Sequence, residues 1–342
     1  VGTGRAALMG ILIKDAKTLE SMEKVNTLVV DKTGTLTEGK PTVTSFITNE
    51  SFTKEELIGY AASLERSSEH PLAEAIVAYA KKSSIPLSKV ANFKAITGKG
   101  IIGVVDAKQI AIGSEDFLTS LGVSSKEIIK EANTLRNDGK GVVFMAVDSR
   151  FGAMIGIEDP IKETSLNAIS QLKAEGIKVV MLSGDNKNTA NAVAKKLGID
   201  EVYANVMPDG KAAIIQELQT NGAVVAMAGD GINDAPALAQ AEVGTAMGTG
   251  TDVAIESAGV TLIKGDLLGI VKVLKLSRAT MKNIRQNLFF AFIYNSAGVP
   301  IAAGVLYPFF GILLSPVIAA AAMSFSSVSV IVNALRLKNI KI

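Results

Sequence analysis

The stretch Thr27-Leu28-Val29-Val30-Asp31-Lys32-Thr33-Gly34-Thr35-Leu36-Thr37 decides how the chain is read. Its apolar, β-branched start reads as a buried strand that ends abruptly in an aspartate. Gly34 and the threonines around it suit a tight turn lined with backbone N–H and hydroxyl groups. In an open α/β sheet, ligands meet the protein at the carboxyl ends of the strands. Asp31 therefore stands where a nucleophilic carboxylate can meet a phosphate. An Asx turn closing a core strand accounts for the same aspartate, and on these residues alone both readings stand.

Working outward, two later apolar runs end in polar clusters of the same kind. They are Leu182-Ser183-Gly184-Asp185 and Ala228-Gly229-Asp230-Gly231-Ile232-Asn233-Asp234. Between Arg150 and Leu276, strand and helix alternate, the pattern of a parallel sheet. Strands are expected at 153–157, 178–182 and 223–228, and helices at 161–175, 188–197 and 210–218. If these strands neighbour the one ending in Asp31, their polar clusters meet at one sheet edge. Lys211, in Met207-Pro208-Asp209-Gly210-Lys211, lies just ahead of the last strand.

The heptapeptide Asp31-Lys32-Thr33-Gly34-Thr35-Leu36-Thr37 resembles the phosphorylation motif of the P-type ATPases, ion pumps built on a haloacid-dehalogenase-like domain. Gly229-Asp230-Gly231-Ile232-Asn233-Asp234-Ala235-Pro236 matches that family's hinge motif in full, and Ser183 keeps the hydroxyl of the threonine frequent at its place. The resemblance implies an α/β fold: a haloacid-dehalogenase-like doubly wound parallel sheet, split by an α+β nucleotide-binding insert and followed by a two-helix transmembrane hairpin. Residues 1–23 would be the end of a transmembrane helix and a linker. Residues 24–48 and 149–276 would form the phosphorylation domain, 49–148 the nucleotide-binding domain, and 277–342 the transmembrane pair. It also implies roles. Asp31 attacks the γ-phosphate of ATP. Mg²⁺ is held by Asp31, Asp230 and the backbone carbonyl of Thr33, an oxygen donor set that suits the ion. Lys211 neutralises the transferred phosphoryl group, while Ser183 and the backbone at Gly184 hydrogen-bond it. Asn233 and Asp234 orient the metal's water, Asp185 supports them, and Lys32 and Thr33 join the nucleotide contacts.

Between residues 49 and 148 the pattern changes to helices (53–60, 71–82, 124–136) and short strands (91–96, 101–105, 109–112, 142–147), expected as helices on a mixed sheet. The only histidine stands in Ser68-Glu69-His70-Pro71-Leu72. The following proline forces it to be extended, and a capping or packing role is its ordinary use. Yet Glu65, His70-Pro71, Gly98-Lys99-Gly100 and Gly113 recur in this order in the nucleotide-binding domain of heavy-metal P-type ATPases. That likeness implies that Glu65, His70, Gly98, Gly100 and Gly113 hold ATP. Ser114 departs from it, since the family usually has asparagine there.

The 342 residues carry a formal net charge of +2, so nothing points to a nucleic-acid partner. Without cysteine, neither disulfides nor thiolate metal sites can form within the chain. From Gln286 to Leu335 no charged residue occurs, enough for two spans of roughly twenty residues each. Lys275, Arg278, Lys282 and Arg285 precede this stretch, and Arg336, Lys338 and Lys341 follow it, so both ends are expected in the cytosol of a multi-pass cell-membrane protein. Tyr294-Asn295 with Met323-x-x-Ser326-Ser327 resembles the copper branch of the heavy-metal ATPases. That resemblance implies that Tyr294, Asn295, Met323, Ser326 and Ser327 line the path of Cu⁺ or Ag⁺, with the lipid bilayer around it. Close helix packing explains the serines and the methionine equally well. The chain then reads as the C-terminal half of an ATP-driven metal exporter, with an actuator domain and further transmembrane helices upstream in the same polypeptide. The alternatives are a Zn²⁺/Cd²⁺ pump or a membrane-anchored Mg²⁺-dependent phosphatase. Such phosphatases commonly carry a second aspartate two places after the nucleophile, where this chain has Thr33.

Overall fold

The computed structural model describes residues 1–68, 71–124, 128–305, 307–311 and 315–340. Its strands form two sheets. Seven strands make up the first: β1 (Ile11–Ile13), β13 (Val260–Leu262), β12 (Val243–Met247) and β11 (Val225–Gly229) stand in that order, as do β2 (Thr27–Asp31), β9 (Lys178–Leu182) and β10 (Glu201–Tyr203). The β11–β12, β12–β13 and β9–β10 pairs are parallel, and only the short edge strand β1 pairs antiparallel. Strands β2 and β11 are buried along their whole length, as expected of strands covered on both faces.

Contacts group the chain into two units: Val1–Leu28, Glu175–Ile177 and Ala212–Ile342 in one, Val29–Ala174 and Lys178–Lys211 in the other. The first holds α1 (Gly2–Leu8), α2 (Ala16–Lys24), most of α9 (Gly210–Thr220), α10 (Ala235–Gln240) and α11 (Asp252–Ser257), followed by the long α12 (Leu268–Ala302), α13 (Tyr307–Phe310) and α14 (Pro316–Leu335). Asp15 caps α2, accepting from the Thr18 amide at 2.7 Å. The first half of α12 packs on α2: Ser277 donates its hydroxyl to the Leu19 carbonyl, and Arg285 grips Glu23 with two bonds of 2.7 Å. Farther along, buried Asn283 and Asn333 tie α12 to α14, Asn283 Nδ2 donating to the Asn333 carbonyl at 2.8 Å.

The expected membrane hairpin falls on α12 and α14, but among the described residues no helix is long and apolar enough to cross a membrane. In α12, Gln286, Asn287, Tyr294, Asn295 and Ser296 interrupt the apolar run, and Pro300 sits inside the helix.

The second unit contains the six-stranded sheet, in the order β3 (Thr42–Thr48), β8 (Arg150–Glu158), β7 (Gly141–Val147), β6 (Lys108–Gly113), β5 (Gly100–Val105), β4 (Val90–Ile96). Every pair is antiparallel, not mixed as the sequence led one to expect. The short connections β4–β5, β5–β6 and β7–β8 require antiparallel pairing, and β6–β7 and β3–β8 follow the same sense. The strand expected at 153–157 belongs to this sheet and not to the parallel one, because β8 is hydrogen-bonded on both sides, to β7 and β3. The expected joints at 48 and 148 therefore lie inside a sheet that begins at Thr42 and ends at Glu158. Helices α3 (Lys54–Glu65) and α4 (Pro71–Lys82) cover a core with Leu57, Leu64, Ile76, Ile110 and Ile155. Thr53 and Glu56 form a reciprocal capping box at the start of α3. Helices α5 (Glu115–Ser120) and α6 (Ile129–Asn137) pack with Phe117, Leu118, Phe144 and Met154 in a second core. The same unit holds α7 (Ser165–Ala174) and α8 (Lys187–Leu197).

Gly100 and Gly113 sit opposite each other in the β5–β6 ladder. A Cβ on Gly100 would lie 2.2 Å from the Ile112 carbonyl, and one on Gly113 2.4 Å from the Lys99 carbonyl, with the Phe117 ring pressing on both. Overpacking of this kind costs about 1–3 kcal/mol. Gly100→Ala and Gly113→Ala should each lower the unfolding free energy of the chain by that amount, measured by thermal or urea denaturation.

Candidate active site

Strand β2 delivers Asp31 to the sheet edge with 6% of its surface exposed. Its Oδ1 lies 2.7 Å from Nζ of Lys211, itself buried in the first turn of α9, and its Oδ2 accepts from the Thr33 amide at 2.9 Å. Removing either partner of a buried pair leaves an uncompensated charge, which costs roughly 3–5 kcal/mol. Lys32 turns the other way and pairs with Asp185 at 2.9 Å. The Asp185 amide donates to buried Ser183 Oγ at 3.0 Å, folding Ser183-Gly184-Asp185 into a tight turn after β9.

Asp234 is buried at the end of its own loop, where its Oδ2 accepts from the amides of Asp230 and Gly231, both at 3.1 Å. Gly229 is required beside it, since a Cβ there would lie 2.7 Å from the Asp234 carboxylate. Asn233 is exposed and Asp230 half-buried. Carboxylate oxygens are the donors that Mg²⁺ prefers, and Asp31 in one unit and Asp230 and Asp234 in the other are of that chemistry. Thr33 is exposed at the turn.

Sequence reasoning missed the brace behind the Asp31 loop. Asp159 receives the Thr37 hydroxyl at 2.5 Å and the Lys40 amide at 3.1 Å. Lys162 Nζ donates to the Gly34 carbonyl at 2.5 Å, and Ser165 Oγ to that of Leu36 at 2.8 Å. A signal was present: β8 runs straight into Glu158-Asp159-Pro160, another strand ending in acidic residues.

The expected nucleotide residues are placed unevenly. His70 lies outside the described residues. Glu65 ends α3 with 6% exposure, and burial pushes its carboxyl up to about 7, against the lowering pull of a hydrogen bond with Ser68. Gly98 makes the β4–β5 turn at φ 71°, and Gly100 and Gly113 face each other in the β5–β6 ladder. Ser114 caps α5, accepting from the Phe117 amide at 3.2 Å. Of the expected ion-path residues, the side chains of Tyr294, Asn295 and Met323 lie outside the described residues, and Ser326 and Ser327 stand on α14, half-buried and exposed respectively.

Comparison with known proteins follows the same lines. A family model for haloacid dehalogenase-like hydrolases matches residues 25–242. The chain is 57% identical over 340 residues to a copper-exporting P-type ATPase of Legionella pneumophila, covering 99% of this chain and 46% of that protein. It is 56% identical over 344 residues to a silver exporting P-type ATPase of Salmonella typhimurium, covering 100% and 42%. Among solved structures it resembles a zinc-transporting PIB-type ATPase in an E2.Pi state, with a TM-score of 0.76, 35% identity, and coverage of 98% of this chain and 54% of that one. It also resembles the catalytic domain of the CPx-ATPase CopB-B, with a TM-score of 0.64, 32% identity, and coverage of 80% and 98%. The chain spans less than half the length of the curated relatives it matches.

The raised Glu65 carboxyl carries a pH dependence with a definite sign. Between pH 4.5, its usual value, and about 7, the folded chain holds a proton that the unfolded chain releases. This contribution is therefore full below 4.5 and lost as pH rises through 7, by about 3 kcal/mol in all. Glu65→Gln should remove that component, so the variant unfolds at higher denaturant than the parent at pH 8 and shows no such gain at pH 4.5. Urea midpoints across this range check it.

Proposed function

The chain belongs to the haloacid dehalogenase-like hydrolase family and carries the catalytic part of a P-type ATPase, and on that premise we propose that it drives export of a monovalent soft metal ion, Cu⁺ or Ag⁺, through an aspartyl-phosphate intermediate. The observation that carries this reading is the buried Asp31–Lys211 pair at the end of β2. An Asp31 oxygen attacks the γ-phosphorus of ATP. An oxygen–phosphorus bond forms to the carboxylate, the bond to the bridging oxygen breaks, and ADP leaves with that electron pair. Lys211, already against Asp31, passes its charge to the transferred group. Lys32 stays engaged with Asp185, and the Asp159–Lys162 brace holds the loop still. Mg²⁺, when bound by Asp31, Asp230 and the Thr33 carbonyl with Asp234 behind them, supplies charge neutralisation at the phosphates. In this reading Ser183 and Gly184 bind phosphoryl oxygens and Asn233 orients water. Glu65, His70, Gly98, Gly100, Gly113 and Thr33 frame the ATP site.

The distal half of α12 and α14 form part of the membrane region of the complete polypeptide, with the catalytic units on the cytosolic side. Phe289, Phe292, Phe309, Phe325 and Ile331, each at least 58% exposed on α12, α13 and α14, support this, because large exposed apolar surface marks membrane or partner contact. The choice of a monovalent ion rests on the uncharged stretch from Gln286 to Leu335. A divalent ion without a countercharge there is costly to desolvate, and thioether sulfur suits a soft monovalent one. The copper and silver relatives point the same way.

With Mg²⁺ and γ-labelled ATP, the complete protein should form an acid-stable, hydroxylamine-sensitive phosphoenzyme, and Asp31→Asn should abolish it while ATP binding survives. Label persisting in that variant removes Asp31 from the mechanism. Cu⁺ or Ag⁺ should stimulate ATP hydrolysis by the complete pump more than Zn²⁺ or Cd²⁺ does, and Met323→Ala or Asn295→Ala should lower that stimulation. Stronger activation by Zn²⁺ sinks the copper assignment.

A further inference from the structure

Helix α8 starts one residue after the Ser183-Gly184-Asp185 turn, and the turn that joins α6 to β7 rests on it. Two carbonyls of that turn are the points of contact. Lys140 accepts from the Thr189 hydroxyl at 3.1 Å, and Asp138 from Lys196 Nζ at 2.6 Å. Between them Gly139 takes φ 88°, and a Cβ on it would already lie 3.4 Å from Val193 Cγ2. Thr189 is 1% exposed, and its oxygen also receives Asn186 Nδ2 at 3.1 Å. Asn186 in turn caps α8, accepting from the amides of Asn188 and Thr189. One buried hydroxyl thus joins a turn of the six-stranded sheet to the residue that follows Asp185.

From this geometry we propose that Thr189 and Lys196 are positioning residues, seating the insert on α8 so that ATP held by the insert meets Asp31 in a fixed register. The inference rests on the proposed phosphoryl transfer. Neither residue touches the reacting atoms. Both act through backbone carbonyls, at Asp138 and Lys140, three residues and one residue before the start of β7, a strand in the middle of the insert's sheet. Such contacts are independent of the side chains at 138 and 140. Losing the hydroxyl therefore frees the turn without altering the insert's own core.

The expected consequence is a split between binding and transfer. In the full chain, Thr189→Val should leave the ATP dissociation constant from calorimetry unchanged and lower the rate of Asp31 labelling at saturating ATP about five-fold, the size of one lost hydrogen bond. Thr189→Ser should restore the rate, and Lys196→Met should lower it in the same direction. An unchanged or faster rate in Thr189→Val, or a loss of ATP affinity in step with the rate, overturns the proposal. A second measurement is independent of the chemistry. The chain has no cysteine, so Asn137→Cys with Lys195→Cys, both exposed positions, gives the only two thiols. A short bismaleimide should join them faster with Thr189 than with Val at that place. Equal cross-linking rates overturn the seating even if the parent chain labels. No label in the parent with unequal cross-linking rates strikes the proposed phosphoryl transfer instead.

Discussion

A carboxylate and an ammonium group 2.7 Å apart, both nearly closed off from water, set the terms for the rest of the molecule. Neither charge can be buried without the other, yet Asp31 and Lys211 lie 180 residues apart in the chain. The intervening sequence therefore has to return the chain to the point where β2 ended, and it does so with two kinds of folding unit. The antiparallel sheet closes on itself with local turns. The alternation of β9, α8, β10 and α9 then brings Lys211 back. An ion pair poised in this way also has chemical use, because the cation that stabilises the free carboxylate is already in place when negative charge arrives.

Much of this was legible in the residues. Apolar runs ending in Asp31, Asp185 and Asp230 marked three strand ends, and the structure has β2, β9 and β11 there. Pro71 opened a helix, as its fixed φ favours. What stayed hidden depended on partners rather than patterns. The continuous burial of β8 reads as a strand of either sheet, and only its pairing with β3 and β7 decides which. Helix α5 has six residues, too few to show a period. Gly100 and Gly113 look like nucleotide-approach glycines in sequence, whereas a steric reason for both lies in the neighbouring strand and Phe117. The acidic end of β8 at Asp159 marks a strand terminus, but nothing in the sequence names its partners Thr37 and Lys40, more than a hundred positions earlier. For α12, amides and a tyrosine interrupt the apolar run without adding charge, which a count of charges does not register.

Helix α12 also joins two environments in one rod. Its first half is fastened by Ser277, Arg278 and Arg285 to α2 and Glu175, and its second half presents aromatic rings to the surroundings. At 35 residues and 1.5 Å per residue, such a rod is about 50 Å long. Any rotation of the fastened end is therefore carried to the other without a loop to absorb it, and the amides of Asn283 and Asn333 extend that rigidity to α14.

The pairing of β3 with β8 has a consequence for heredity as much as for mechanics. The chain leaves for the inserted sheet along one strand and comes home along its immediate neighbour, so the two ends of the excursion stand side by side. Everything between them can be lengthened, shortened or exchanged without disturbing the strands that carry Asp31, Asp185 and Asp230. A sequence built this way can vary its nucleotide cradle as a cassette while its phosphorylation chemistry stays put.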